Sequence, residues 1–444
     1  ALLYIQMGQY KKAEPLLIQS NLVLQKNVAD VFTILSEEEK ANYLSYNLSA
    51  MDINNSLLYN YPSAGNNFIK SSLELLLGYK SLSLSATKNM LESVRNSSDT
   101  SLKRLLQAWI TQKKILSKQY TLPAEFRTKN LKGIEAEAEA TEKEIIRRSS
   151  SFKNQTASLH VTMREVQTNM AEDEAAIEFL HFKLYRNGKT DSNIYAAYLF
   201  GKYDSVPVFV PLCEKQVLKR LFDSAGNSAT TMVSSFYRGI EIKNTSSLLG
   251  QSLYKLIWAP LEPHLKGIKK IAYSPSGKLY AIAFHALMAD SNTLLMDKYQ
   301  LQQYTSTRQI AFRTETKTSA PGDIVLFGDA DFSMDSLQLT RLRRDNTVSA
   351  PVTHSVFQST STWPGLPGTG AEVNNIKQLF DQNKVKARVF TKVNASEENL
   401  KAISNTGYKE IHIATHGFFL PEPEENKTAS ISEGEYRKAE DPLM

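Results

Sequence analysis

Residues Lys409 to Phe419 read K-E-I-H-I-A-T-H-G-F-F: a short β-branched and apolar run, then a His-Gly pair and two aromatics. The run has the pattern of a strand, and the glycine after it lets the chain turn sharply. Working back from it, the spacing predicts strand Asp323 to Gly328, helix Ala371 to Asp381, strand Ala387 to Phe390, helix Glu397 to Ser404 and strand Lys409 to Ala414. Strands alternating with helices imply right-handed crossovers and a parallel sheet. Functional groups on such a sheet gather at the carboxyl ends of its strands. His416 lies just past one such end, and Asp329, in F-G-D-A-D-F, lies past another.

Upstream of a Ser/Thr/Pro-rich linker around Thr314 to Gly322 the pattern differs. Glu174 to Phe182 and Tyr195 to Phe200 read as strands around the turn Arg186-Asn187-Gly188-Lys189, and Val208 to Leu212 as a third, with a helix from Glu214. Ser247 to Leu265 reads as a helix. Ile268 to Tyr273 and Lys278 to Phe284 read as strand-like runs flanking a turn from Ser274 to Gly277.

From Val28 to Thr156 the sequence is helical. Ser36-Glu37-Glu38-Glu39 is a capping box opening a helix. Leu73 to Leu84, Leu102 to Lys118 and Ile134 to Arg148 carry the apolar spacing of packed helices. The run E-A-E-A-E-A-T-E-K-E within the last reads as a solvated helix. At the start of the chain, Gly8-x-Tyr10-x-x-Ala13 places a small residue and an aromatic where two antiparallel helices meet closely.

Composition narrows the function classes. The 444 residues carry 42% hydrophobic and 22% charged residues, enough apolar material for several cores. No uninterrupted apolar run has the length of a membrane span. The net charge of +6 is scattered. Apart from short patches such as Arg341-Leu342-Arg343-Arg344, there is no basic face with interleaved aromatics, so nucleic acid is not an expected partner. Cys213 is the one cysteine, which excludes an intrachain disulfide and a multi-cysteine zinc site and fits a reducing, cytoplasmic setting.

Imidazole is the side chain best suited to move protons near neutral pH. At a turn after a buried strand, His416 would be held firmly while facing the crevice, and the Gly417 N–H could meet a developing oxyanion. Such a histidine needs a Cys or Ser nucleophile on a neighbouring strand end. His412 and His416 would form a metal pair on a helix, but the β-branched surroundings favour a strand, and His412 reads as a packed strand histidine. Thr369-Gly370-Ala371-Glu372 reads as a capping box. No G-x-S-x-G elbow supports a serine hydrolase.

Several stretches together resemble the CHAT family, the caspase-like peptidase domain associated with tetratricopeptide repeats and related to separase and caspases. They are Gly8-x-Tyr10-x-x-Ala13, E-D-E-A-A-I-E-F (Glu172 to Phe179), S-P-S-G-K-L-Y-A-I-A-F-H-A-L (Ser274 to Leu287), L-M-D-K-Y (Leu295 to Tyr299), V-L-F-G-D-A-D-F (Val325 to Phe332), L-P-G-T-G-A-E-V (Leu366 to Val373) and I-A-T-H-G-F (Ile413 to Phe418). The resemblance implies a tetratricopeptide-repeat remnant (1–27), a helical region (28–154), a pseudo-caspase support (155–315) and a catalytic caspase-like α/β half with a parallel sheet (316–444). It implies a cysteine endopeptidase without cofactor, with His416 as the catalytic histidine and Gly417 as an oxyanion donor. Asp329 or Asp331 would line the pocket for a substrate side chain, a basic one if the acid is to form a charge-assisted pair. In the family the cysteine follows the next strand, so it is expected beyond Met444. Cys213, in V-F-V-P-L-C-E-K, reads as a packed small hydrophobe. The expected partners are a protein substrate and a regulatory protein bound by the repeats, with no membrane. A loop from Pro421 to Asp441 would be mobile. The other reading is a non-catalytic, repeat-based scaffold with a degenerate caspase-like body.

Overall fold

A computed structural model describes residues 1–32, 34–120, 126–149, 161–186, 189–224, 246–290, 292–313, 322–332, 365–404 and 406–416. Gly417, the patch 341–344, the stretch 421–441 and nearly all of the linker around 314–322 lie outside them. The chain forms two compact units: Ala1–Leu116 with Thr128–Arg313, and Thr314–Phe418 with Ser117–Arg127.

The first unit opens with α1 (Leu2–Gln6) and α2 (Tyr10–Val31). Gly8 takes a left-handed φ of 68° between them, and Ala13 is fully buried. There follow α3 (Glu37–Asn60), α4 (Asn66–Tyr79), α5 (Leu82–Asn96), α6 (Thr100–Tyr120), α7 (Leu131–Arg148) and the short α8 (Met163–Thr168). The capping box at Ser36 forms as read: its hydroxyl accepts from Glu39 N–H and the Glu39 carboxylate accepts from Ser36 N–H. The span Leu73 to Leu84 is not one helix. It breaks at Lys80 and Ser81, the latter at φ 60°, because the Lys80 ammonium turns inward to Glu178. The E-A-E-A run is solvated only in part. Ala138 and Glu142 are buried, and Glu142 accepts the Glu37 N–H at 2.7 Å, closing the start of α3.

The sheet of this unit runs β3 (Val208–Glu214), β2 (Lys189–Gly201), β1 (Glu174–Arg186), β4 (Lys270–Ser274), β5 (Gln300–Gln303). β1, β2 and β3 pair antiparallel, whereas β1–β4 and β4–β5 pair parallel. Alternation divides β1 between two cores. Ala176, Leu180 and Phe182 join the helical layer, and Ala175, Ile177 and Phe179 face Leu253, Trp258 and Phe284. Behind β3 lies α9 (Lys215–Ser224), and α10 (Ser246–Leu253) continues into a π-helical turn, Tyr254–Trp258. The helix read from Ser247 to Leu265 thus ends early. Lys278 to Phe284 is not a strand. Gly277, at φ 52°, leads into short 3-10 turns, and α11 (Leu295–Lys298) then precedes β5.

On the helical side of the sheet lies a buried charge group. Lys80 Nζ sits 2.8 Å from Glu178 Oε1 and donates to the carbonyls of Phe179 (2.7 Å) and Ser274 (3.1 Å). Glu178 also accepts from the Thr307 N–H (2.7 Å) and hydroxyl. Buried Arg308 reaches the carbonyls of Leu77 and Gly78 at 3.4 Å, satisfying the last turn of α4.

The second unit contains β6 (Ile324–Ala330), α12 (Pro367–Gln382), β7 (Ala387–Lys392), α13 (Glu397–Ala402) and β8 (Glu410–Ile413). The sheet order is β7-β6-β8, all parallel, as the alternation predicts. Ile324 and Leu326 pack with Val373, and Val325 and Phe327 with Phe390 and Ile403. The protein is therefore a mixed α/β chain with a parallel sheet and an N-terminal helical region.

Candidate functional site

The carboxyl ends of β6, β7 and β8 come together in the second unit. β6 holds the centre: its hydrogen bonds to β7 and β8 fix Phe327 opposite Phe390 and Ile413. Ala414 N–H donates to Phe327 O at 2.8 Å, extending the pairing past β8. His416 follows two residues later, half-buried, with its ring centroid 5.0 Å from that of Phe332 and the planes at 58°. The turns after β6 and β8 thus meet through an aromatic–imidazole contact that restricts the histidine ring.

Past Phe327 the backbone of β6 is shaped by its neighbours. A Cβ on Gly328 would lie 2.7 Å from Val373 Cγ1 and 2.8 Å from Thr369 O, so only glycine lets α12 approach this closely. Asp329 adopts φ 50°, and its N–H donates to Thr369 Oγ1 at 2.8 Å. The Asp329 carboxylate receives Lys392 Nζ on both oxygens, at 2.9 and 2.8 Å. Lys392 ends β7 and is itself left-handed, at φ 53°. Asp331 is exposed, and its N–H points to Lys392 O at 3.4 Å.

The capping box expected at Thr369 does not form. The N-cap of α12 is Leu366, so Thr369 is already inside the helix, and its hydroxyl donates to Leu366 O at 2.7 Å while accepting from Asp329. Glu372 instead lies 2.9 Å from His412 Nε2. His412 is therefore in side-chain hydrogen-bond contact with Glu372 and about a third exposed, not a packed strand histidine. Its place on a strand removes the helical metal pair with His416, and among the described residues no group of three potential ligands converges.

Cys213 stands in the other unit, opposite Tyr195 in the β2–β3 register. Burial pushes its thiol up to about 12, the reverse of what an attacking thiolate needs. Lys392 and Glu372 were missed as site residues. The signal for Lys392 was a basic residue ending the strand parallel to the one that precedes Asp329; Glu372 was absorbed by a local motif.

Residues 248–443 match the sequence model of the CHAT domain, and the chain carries a CHAT domain over that span. The resemblance accordingly holds for the motifs within that span, from Ser274 onward. No curated protein matches the chain. The matched span includes β4 and β5, yet β4 is hydrogen-bonded to β1, which precedes it. The sheet supporting the first part of the domain therefore begins at Glu174.

Proposed function

We propose that the chain belongs to a cysteine endopeptidase in which His416 is the proton-transfer residue of a Cys-His dyad. The observation that carries the reading is the place of His416: past the carboxyl end of β8, inside the CHAT span, braced by Phe332 from the end of β6. In the reaction a thiol would lose its proton with help from His416 and attack the scissile carbonyl. The C–N bond breaks as His416 protonates the leaving amine, and a thioester remains for water to hydrolyse. The Gly417 N–H would stabilise the oxyanion. Cys213 is unsuited to the role, so the reading requires a thiol from outside residues 1–444.

The caspase-like arrangement, with residues 155–315 as support and 316–444 as the catalytic half, is part of the same proposal. So is a tetratricopeptide-type role for the first helices in binding a regulatory protein. Its support is the left-handed Gly8 between α1 and α2 and the fully buried Ala13.

The test is cleavage of a protein substrate by the longest natural form of the chain. His416→Ala should lower the rate at least a hundredfold without shifting the melting temperature. A variant that cleaves normally removes the dyad, and a wild-type protein that binds partners but never cleaves favours the scaffold.

A further inference from the structure

β6 and β7 do not stay in step to their ends. Phe327 is paired with Phe390 and Ala330 with Lys392, so β6 carries one residue more than β7 over the same stretch. This is a β-bulge, a device rare between parallel strands and over-represented beside active sites, where it re-aims a side chain. Because side chains alternate along a strand, one extra residue reverses the face that each later residue takes. The bulged residues are Gly328 and Asp329, and α12 fixes both. Gly328 has no room for a Cβ, and Asp329, at φ 50°, gives its N–H to Thr369 Oγ1 at 2.8 Å. The Thr369 hydroxyl proton is committed to Leu366 O at 2.7 Å, which leaves its oxygen free to accept. On its other side the turn meets β7, with the Asp331 N–H 3.4 Å from Lys392 O. Phe332 comes next, and its ring lies against His416.

We propose that Thr369 is a positioning residue for the His416 imidazole, acting through this bulge: by holding Asp329 in its left-handed conformation, it delivers Phe332 to the histidine ring. Closing the first turn of α12 is served by the Leu366 contact alone. It does not explain why the same hydroxyl receives a backbone N–H from forty residues away. Both bonds need a hydroxyl, so serine at this position can make them and the isosteric valine cannot. A ring packed against imidazole limits its rotation, and proton transfer depends on that orientation. The catalytic consequence rests on the peptidase reading; the link from Thr369 to His416 stands on the geometry of β6, β7 and α12.

The experiment is carbon–proton correlation NMR of the 444-residue protein with labelled histidine, in which His416→Ala identifies the His416 ring signal among the seven histidines. Phe332→Leu, which removes the aromatic ring, is expected to move that signal. Thr369→Val should move it toward the same position, and Thr369→Ser should leave it where wild type has it. Thr369→Val combined with Phe332→Leu should go no further than Phe332→Leu alone, because both act along one chain of contacts. A signal unmoved by Thr369→Val, moved as far by Thr369→Ser, or displaced additively in the double variant would overturn the proposal. Should Phe332→Leu fail to fold, the two Thr369 variants still decide. In cleavage by the longest natural form, Thr369→Val should lower kcat about ten- to hundredfold with KM unchanged, and an unchanged kcat would also overturn the proposal. Cleavage surviving His416→Ala while the signals behave as stated would sink the dyad and leave the bulge as the brace of the ring. Cleavage that requires His416, with signals indifferent to Thr369→Val, would do the reverse.

Discussion

Gly328 and Cys213 show how much a single position can decide. A methyl group at Gly328 would collide with Val373 and with the fixed carbonyl of Thr369, atoms that cannot rotate away together. Gly328→Ala should therefore destabilise the second unit by about 1–3 kcal/mol, read as a lower denaturation midpoint. An unchanged midpoint would mean that α12 shifts freely. Cys213, its thiol pushed up to about 12 by burial, should react with iodoacetamide at pH 8 far more slowly in the native protein than after unfolding. Equal rates would show an accessible thiolate. At this scale the sequence was partly legible. The β-branched run before His416 announced a strand end, and a strand end is where His416 stands. Glu372 was misread because a Thr-x-x-Glu pattern is local, whereas Thr369 already lies inside the helix, its hydroxyl joining Leu366 O to the Asp329 N–H of β6.

The element that most repays attention is α3. β1 runs past its pairing with β4 after Glu178, leaving the outward backbone groups of its second half without a strand partner. Three side chains of α3, four residues apart and so on one face, supply what is missing. Asp52 accepts from Lys183 N–H (3.0 Å), Ser56 accepts from Tyr185 N–H (2.8 Å) and donates to Lys183 O (3.2 Å), and Asn60 donates to Tyr185 O (3.2 Å). Ser56→Ala orphans a donor and an acceptor and should cost about 1–3 kcal/mol, measured by chemical denaturation; a neutral result would mean that water replaces the hydroxyl. Burial raises the Asp52 carboxyl to about 6, against the opposing hydrogen bond from Lys183. Because the folded value lies above the ordinary one, the protein loses stability through this group as pH rises from about 4 to above 6. Asp52→Asn keeps the acceptor without the charge. It should melt higher than wild type at pH 7 and equal it near pH 3.5, and a difference constant across pH would refute the assignment. None of this was visible in the sequence, since it depends on which strand edge a helix happens to cover. The alternation of strands and helices after residue 322 was visible, because period and punctuation are local. The break in Leu73 to Leu84 was not: the apolar spacing runs on through Lys80, and only Glu178, about a hundred residues away, explains the turn.

Across the whole chain, the helical region and the first sheet share one core, in which Leu76, Leu77 and Leu82 meet Ala176, Leu180 and Phe182. Residues 248–443 alone lack β1–β3 and all of that cover. Expressed by themselves they should fail to give the cooperative melting transition of the 444-residue chain, and a cooperative, soluble product would show that the matched span folds independently. Lys80 ties helices to sheet, so Lys80→Met should cost about 3–5 kcal/mol by stranding the Glu178 charge, and adding Glu178→Gln, which removes the charge but keeps an acceptor for Thr307, should recover part of it. A double variant as unstable as the single would show that the carboxylate is not the cause. The α3 contacts carry one more consequence. By occupying the margin of β1 with side chains, the helix denies that margin to any other chain. Were α3 to melt, β1 would present a free template for strand addition, so partial unfolding of the helical layer should lead to self-association before the sheet itself comes apart.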